Sequence, residues 1–560
     1  MVVGVASDPV LTRLVEDDKK KWYQKKHLRY LYFLLFPTCM GIEVTSGFDS
    51  QLINSLQGVS SWKQYFGKCV TTVKAGKSTV ECGLDTVPAL KGIIGASYNL
   101  GAICALPFVG IFTERFGRRT AIAFGSSAAI LGAIIQGAAQ NVGMYIIARM
   151  LLGFGIAFCI INGSSMLGEL GYPKERATLT ALFNSSYFVG SITAAGITMG
   201  TNFINGDSAW RIPSYLQMVP SIVQLALVYL LPESPRWLIS KDRRDEAFDI
   251  LVKYHAEGDR DNFIVKAEMA QIETTVKMEL EAANLSYLDL LRSAAMRRRA
   301  FLAMAIGFFT QWSGNTLISY YFFDLLKMIG VTESKTQQAI NVGKEAWSLI
   351  NANIIALIVT NYKRRTMYLT CAASMLIVYI GWTTTMGVYL ESVVKNTKNK
   401  SYNIAKNTGK ATIFFIFLYS PAYNIGYNAL TYTYLVEIFP FAERTRGIAC
   451  FQFFGRGAGF FTTFVNPIGL TKATWKYMIM YCAWISIELV VIYFSFPETY
   501  NRTLEELSFI FEGQELKDKQ TIAVEKRIHA DEQEPIQQKV VPPRSYQSGE
   551  EKTDIVIAQA

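Results

Sequence analysis

Long apolar runs alternate with short polar, mostly basic segments along this chain. The apolar stretches lie near 30–55, 89–112, 120–140, 144–167, 179–204 and 213–231. A charged segment covers 232–297. Six further apolar stretches lie near 298–326, 338–360, 366–390, 410–436, 447–469 and 476–496. A bilayer core about 30 Å thick needs about 20 apolar residues per helical crossing. The pattern therefore predicts an all-α integral membrane protein with twelve membrane helices. A large soluble helical protein would instead show polar stripes at helical spacing.

The same pattern predicts the organisation. A cytoplasmic tail covers 1–29 and a six-helix bundle 30–231. A connector of charged amphipathic helices covers 232–297 and a second six-helix bundle 298–497. A tail at 498–560, largely disordered, completes the chain. The basic residues Lys19, Lys20, Lys21, Lys25, Lys26 and Arg29 precede an apolar run from Tyr30 that is too long for a signal core. It reads as the first membrane helix, with its basic flank in the cytoplasm. An even number of spans puts both tails on that side. Parity places the loops 57–87 and 391–409 outside although both carry lysines, because long loops weaken the charge rule. Cys69 and Cys82 in the first loop form a candidate disulfide. Asn399 begins an Asn-Lys-Ser glycosylation acceptor in the second.

Composition narrows the function. The chain is 51% hydrophobic and only 18% charged, which fits a membrane protein and not a soluble one. The formal net charge of +10 sits in loops between spans, where it sets orientation; no nucleic-acid partner is expected. The only histidines, His27, His255 and His529, fall in tails or loops. No Ser/His/Asp triad or histidine-ligated metal site can be built inside the membrane. Gly76-Lys77-Ser78-Thr79 resembles the end of a phosphate-binding loop, but position 71 is Thr where that motif needs Gly. ATP-driven transport, enzymatic activity and a cofactor are not expected.

The polar punctuation repeats. Glu114-Arg115-Phe-Gly-Arg118-Arg119 follows the second span, and Lys363-Arg364-Arg365 follows the eighth. Glu169 and Arg176 follow the fourth, and Glu437 and Arg444 follow the tenth, at the same separation. Pro232-Glu233-Ser234-Pro235 follows the sixth, and Pro497-Glu498-Thr499 the twelfth. Three paired marks in one order indicate an internal duplication, hence two pseudo-symmetric bundles with a site at the midplane between them. The charges can pair across the cytoplasmic face and form a gate that breaks when the inside opens; alternatively they only orient helices. Asp49 lies within the first span and Arg149 within the fourth, and intramembrane charges tend to be functional.

Together, Glu114–Arg119, Trp210-Arg211-Ile-Pro213, Pro232–Trp237, Glu437-Ile-Phe-Pro440 with Arg444, and Pro497-Glu-Thr499 resemble the sugar porter family of the major facilitator superfamily over roughly 30–510. Gln311-Trp-Ser-Gly-Asn315 with Tyr320-Tyr321 is most similar to its fungal lactose permease-like and cellodextrin transporter-like branch. The resemblance implies the major facilitator fold and a proton-coupled sugar importer. The cargo would be a hexose or a disaccharide such as lactose or cellobiose. A sugar sensor and a carrier of another polyol such as quinate are the alternatives. The resemblance further implies an Asp49–Arg149 proton-coupling pair and sugar contacts at Asn184, Gln311, Asn315, Thr316, Asn428 and Tyr432. It implies a monomer that meets sugar, protons and lipid, in the plasma membrane. The second Arg-Arg loop departs from the family, lacking its acid and glycine, so the N-terminal half is expected to carry the tighter cytoplasmic latch.

Overall fold

A computed structural model of the chain describes residues 18, 20–74, 77–282, 290–358, 362–394, 400–439, 443–500 and 511. Asn399 and nearly all of the C-terminal tail lie outside them. The first six spans are Lys26–Leu56, Pro88–Phe116, Arg118–Gly137, Val142–Leu170, Arg176–Thr201 and Ser208–Leu230. The seventh is broken into Ala294–Trp312 and Asn315–Met328. The eighth is Ser334–Ile358 and the ninth Arg364–Val394. The tenth runs from Lys400 to Ile438 through a π turn at Asn424–Asn428. The eleventh is Arg444–Ala473 and the twelfth Tyr477–Ser495. Each bundle has its own apolar core, one built on Leu31, Ile122 and Leu167, the other on Leu317, Trp382 and Tyr434.

The first span begins earlier than the apolar run suggests. Glu257 of the connector accepts the backbone N–H groups of His27 and Leu28, at 2.9 and 3.3 Å, and so caps donors that a helix start leaves free. The connector itself forms helices Pro235–Ser240, Arg244–His255 and Phe263–Ala282. The loop after the first span is not purely helical. A short helix, Ser60–Phe66, leads into an antiparallel hairpin of Lys68–Lys74 and Lys77–Gly83. Val70, Thr71, Thr72, Val73, Thr79 and Val80 supply the β-branched residues that suit strands. Its register places Cys69 directly opposite Cys82.

Close helix crossings depend on residues without side chains. A Cβ at Gly47 would fall 1.9 Å from the Tyr187 carbonyl oxygen, and one at Gly190 would fall 2.0 Å from that of Val44. The first and fifth spans therefore meet backbone to backbone. The break in the seventh span is equally constrained. Gly314 has φ +95°, and a Cβ there would collide with the Tyr379 hydroxyl.

Candidate transport site and latches

The Gly47 crossing fixes the stretch of the first span that carries Asp49. Arg149 Nη1 donates to Asp49 Oδ1 at 2.7 Å, with side chains only 0% and 4% exposed. The two side chains meet through one hydrogen bond. Asp49 Oδ2 and Arg149 Nε and Nη2 are buried and find no hydrogen-bond partner among the described residues. The guanidinium also lies 5.4 Å from the Tyr98 ring. A buried ion pair adds little net stability against apolar packing, and this one leaves part of its hydrogen-bonding capacity unmet. Tyr320, on the seventh span, lies within electrostatic reach of both partners and beside Ser50. The pair thus faces the opposite bundle.

The predicted sugar contacts divide into groups. Thr316 donates to Gln311 Oε1 at 3.3 Å, and Ser319 donates to Asn315 Oδ1 at 3.4 Å, around the break in the seventh span. A Cβ at Gly459 would lie 3.2 Å from Gln311 Oε1 and 3.3 Å from Asn99 Nδ2. Gln311, the second-span Asn99 and the eleventh span therefore meet between the bundles. Tyr432 accepts a hydrogen bond from Gln452 of the eleventh span. Asn184 is half-buried one turn before Tyr187, and Asn428 is half-buried at the end of the π turn.

On the side expected to be cytoplasmic the two halves repeat each other. Arg118 contacts Glu169 at 3.4 Å, and Ser234 donates to the same carboxylate. Glu233 accepts the backbone N–H groups of Arg118 and Arg119 at 3.2 and 3.3 Å, capping the third span. In the second half Arg364 contacts Glu437 at 3.4 Å, and Thr499 donates to Glu437. Glu498 accepts the N–H groups of Arg364 and Arg365 at 2.9 and 3.2 Å, capping the ninth span. Arg119 and Arg365 each donate to a carbonyl near the end of the sixth or twelfth span, Tyr229 and Tyr493 respectively.

One expectation changes here, that the first half is braced more tightly than the second. Among the described residues of this geometry the Arg118 and Arg364 pairs form within one bundle each. Glu169 and Arg176 do not pair with each other: Arg176 contacts Glu268 of the connector at 3.0 Å. The second Arg-Arg loop is braced as fully as the first, because the glutamates come from neighbouring helix ends and not from the loop. Glu114 is exposed and contributes its backbone carbonyl, which accepts from Trp237 Nε1 at 3.0 Å. The Arg444 side chain lies outside the described residues.

Among the described residues, polar ties between the bundles lie at the end expected to be external. Lys91 of the second span contacts Asp85 at 3.1 Å and Asp324 of the seventh at 2.6 Å, and Lys327 contacts Asp85 at 2.9 Å. Burial alone would raise the Asp85 carboxyl, but Lys91, Lys327 and Lys63 hold it well below the ordinary carboxylate range. Asn54 donates to Asn341 at 3.3 Å, Gln338 to the Ser55 carbonyl at 3.1 Å, and Asn202 to Ser334 at 2.8 Å. At the cytoplasmic ends the described ion pairs stay within one half. Among the described residues the two bundles are thus joined at the end expected to be external.

Sequence reasoning missed this external latch, whose charges look like ordinary helix-end residues. It also passed over Glu43 and Arg456, two charges inside the first and eleventh spans. The rule that singled out Asp49 could have found both.

The family profile "Sugar (and other) transporter" matches residues 34–511. The high-affinity glucose transporter of Kluyveromyces lactis is 27% identical over 497 residues, covering 87% of this chain and 86% of the relative. The MFS-type transporter criB of Aspergillus cristatus is 26% identical over 438 residues, covering 78% and 87%. Among solved structures, the proton:xylose symporter XylE bound to 6-bromo-6-deoxy-D-glucose superposes with a TM-score of 0.66 at 18% identity, covering 87% of this chain and 100% of XylE. The inward-open conformation of XylE from E. coli gives a TM-score of 0.65, also at 18% identity, covering 86% and 100%. The fold is the major facilitator fold of twelve membrane helices in two six-helix bundles. The protein is a multi-pass membrane transporter and not an enzyme, and the chain belongs to the sugar (and other) transporter family.

Proposed function

We propose that the chain is a proton-coupled sugar importer that works by alternating access as a monomer in the plasma membrane. The observation that carries this reading is the buried, half-satisfied Asp49–Arg149 pair within reach of Tyr320 of the other bundle. A proton arriving from outside on Asp49 cancels its charge and releases Arg149. Cargo held by the Gln311 region draws the seventh span, and Tyr320 with it, toward the first. The external Lys91–Asp324 contact closes behind the cargo. Within each bundle the cytoplasmic clusters hold helix ends together, so that each half moves as one body. Deprotonation of Asp49 toward the cytoplasm restores the pair.

The cargo is a hexose or a disaccharide such as lactose or cellobiose. Amides at 99 and 311 and hydroxyls at 316, 320 and 432 supply hydrogen bonds, and tyrosine faces supply stacking. The names of the K. lactis relative and of XylE support a sugar and a coupled proton. Uptake of labelled glucose, lactose and cellobiose into a transporter-null yeast tests this. Accumulation that collapses with a protonophore is expected. Uptake that only equilibrates and ignores the protonophore would overturn the coupling.

A further inference from the structure

Glu43 and Arg456 take no part in the proton pair or in any latch. Glu43 lies on the first span, six residues before Asp49, and Arg456 lies on the eleventh, in the opposite bundle. Both side chains are part-exposed, and each lies within electrostatic reach of the other. Neither makes a hydrogen bond or an ion pair among the described residues. The other interior charges are engaged. Asp49 has Arg149, Lys344 contacts Glu345 at 2.6 Å, and Glu488 accepts from the Tyr427 hydroxyl at 3.0 Å. A guanidinium held inside the membrane without a contacting counter-ion is costly and marks a substrate path.

Helical spacing says where Arg456 points. Gln452, Arg456, Gly459 and Thr463 fall on one face of the eleventh span. Gln452 bonds Tyr432, Gly459 meets Gln311 and Asn99, and the Thr463 carbonyl accepts from Tyr321 at 2.5 Å. Arg456 thus sits on the stripe that faces the transport cavity, between the Tyr432 and Gln311 contacts. Tyr98, Tyr320 and Tyr432 all lie within its electrostatic reach. A free, fork-shaped cation among hydroxyls and amides matches a carboxylate on a polyhydroxylated ring.

We propose that Arg456 is a carboxylate anchor in the cavity, and that the cargo class includes sugar acids, with Glu43 opposing their charge from the first span. The assignment rests on the transport reading above and names a class of cargo for it. Glu43 tempers Arg456 while the cavity holds no cargo, and it sets how strongly an acid is preferred over its neutral counterpart.

The test uses the purified full-length chain in lipid nanodiscs and two matched pairs, glucose with glucuronate and galactose with galacturonate. Each pair differs only by oxidation at the terminal carbon. The wild type is expected to bind one acid at least about tenfold more tightly than its neutral partner, the scale of one charge-assisted contact. Arg456→Gln should bring that ratio to about one, Arg456→Lys should keep part of it, and Glu43→Gln should raise acid affinity several-fold. Opposite signs from two variants separate anchoring from misfolding. Binding of a neutral sugar without its acid would overturn this assignment alone, as would a ratio that Arg456→Gln leaves unchanged. Binding of neither class would overturn it together with the sugar reading.

Discussion

Asp49 and Arg149 meet through a single 2.7 Å hydrogen bond, although three of their buried polar atoms have no described hydrogen-bond partner. A pair built only for stability would be expected to close a second bond, since each unmet buried group costs about 1–3 kcal/mol. The cost is offset if the unmet atoms find partners elsewhere in the transport cycle. Arg149→Met in place of Arg149 leaves Asp49 buried without its cation, so that the carboxyl binds a proton permanently. Sugar exchange across the membrane should then outlast accumulation, measured as counterflow against net uptake. Intact accumulation would contradict this.

The cytoplasmic clusters of Arg118 and Arg364 use equivalent partners. Arg118→Ala and Arg364→Ala should therefore lower the initial rate of uptake by similar factors, within about threefold of each other, or about 0.7 kcal/mol. A gap of tenfold or more in paired uptake assays would show that the halves are braced differently.

The external latch should resist acid. The Asp85 carboxyl is depressed in the folded protein, so its contribution is present above the ordinary carboxylate pKa and is lost only as pH falls through the lowered value. External acidification to about pH 4, near the ordinary Asp value, should leave the outside closed. Lys91→Met should open it at any pH, because Lys91 contacts both Asp85 and Asp324. An impermeant thiol reagent acting on Asn341→Cys, in a background without the native cysteines, reads this out. Faster labelling is expected with Lys91→Met and not with acid alone.

The hairpin register sets Cys69 opposite Cys82. Directly opposed antiparallel residues have Cα atoms about 4.5–5.5 Å apart, within the span of a disulfide. Peptide mapping without reductant should recover the two cysteines cross-linked. Two free thiols at these positions would contradict the pairing.

Much of this was legible in the chain. Twelve apolar runs gave the spans because the bilayer demands continuous helix, and the duplicated Arg-Arg, Glu and Pro-Glu marks gave the two bundles. Partners were less legible. Glu169 and Arg176 are seven residues apart and on flanking helices, yet Glu169 turns to Arg118 and Arg176 to Glu268, residues far away in the sequence. The Glu233 and Glu498 caps bind backbone N–H groups, which leave no trace in side-chain identity. Gln311 was found from a motif, whereas Asn99 became visible only where Gly459 lets the spans approach.

The central claim is that Asp49 carries the proton that drives uptake. Asp49→Asn cannot change charge, and its measurement is proton entry and sugar accumulation in the same sealed vesicles under an imposed pH gradient. The wild type should take up protons with sugar and concentrate it, while Asp49→Asn should move sugar only to equilibrium, with no accompanying proton. Undiminished accumulation by Asp49→Asn, with protons still entering alongside sugar, would contradict the account.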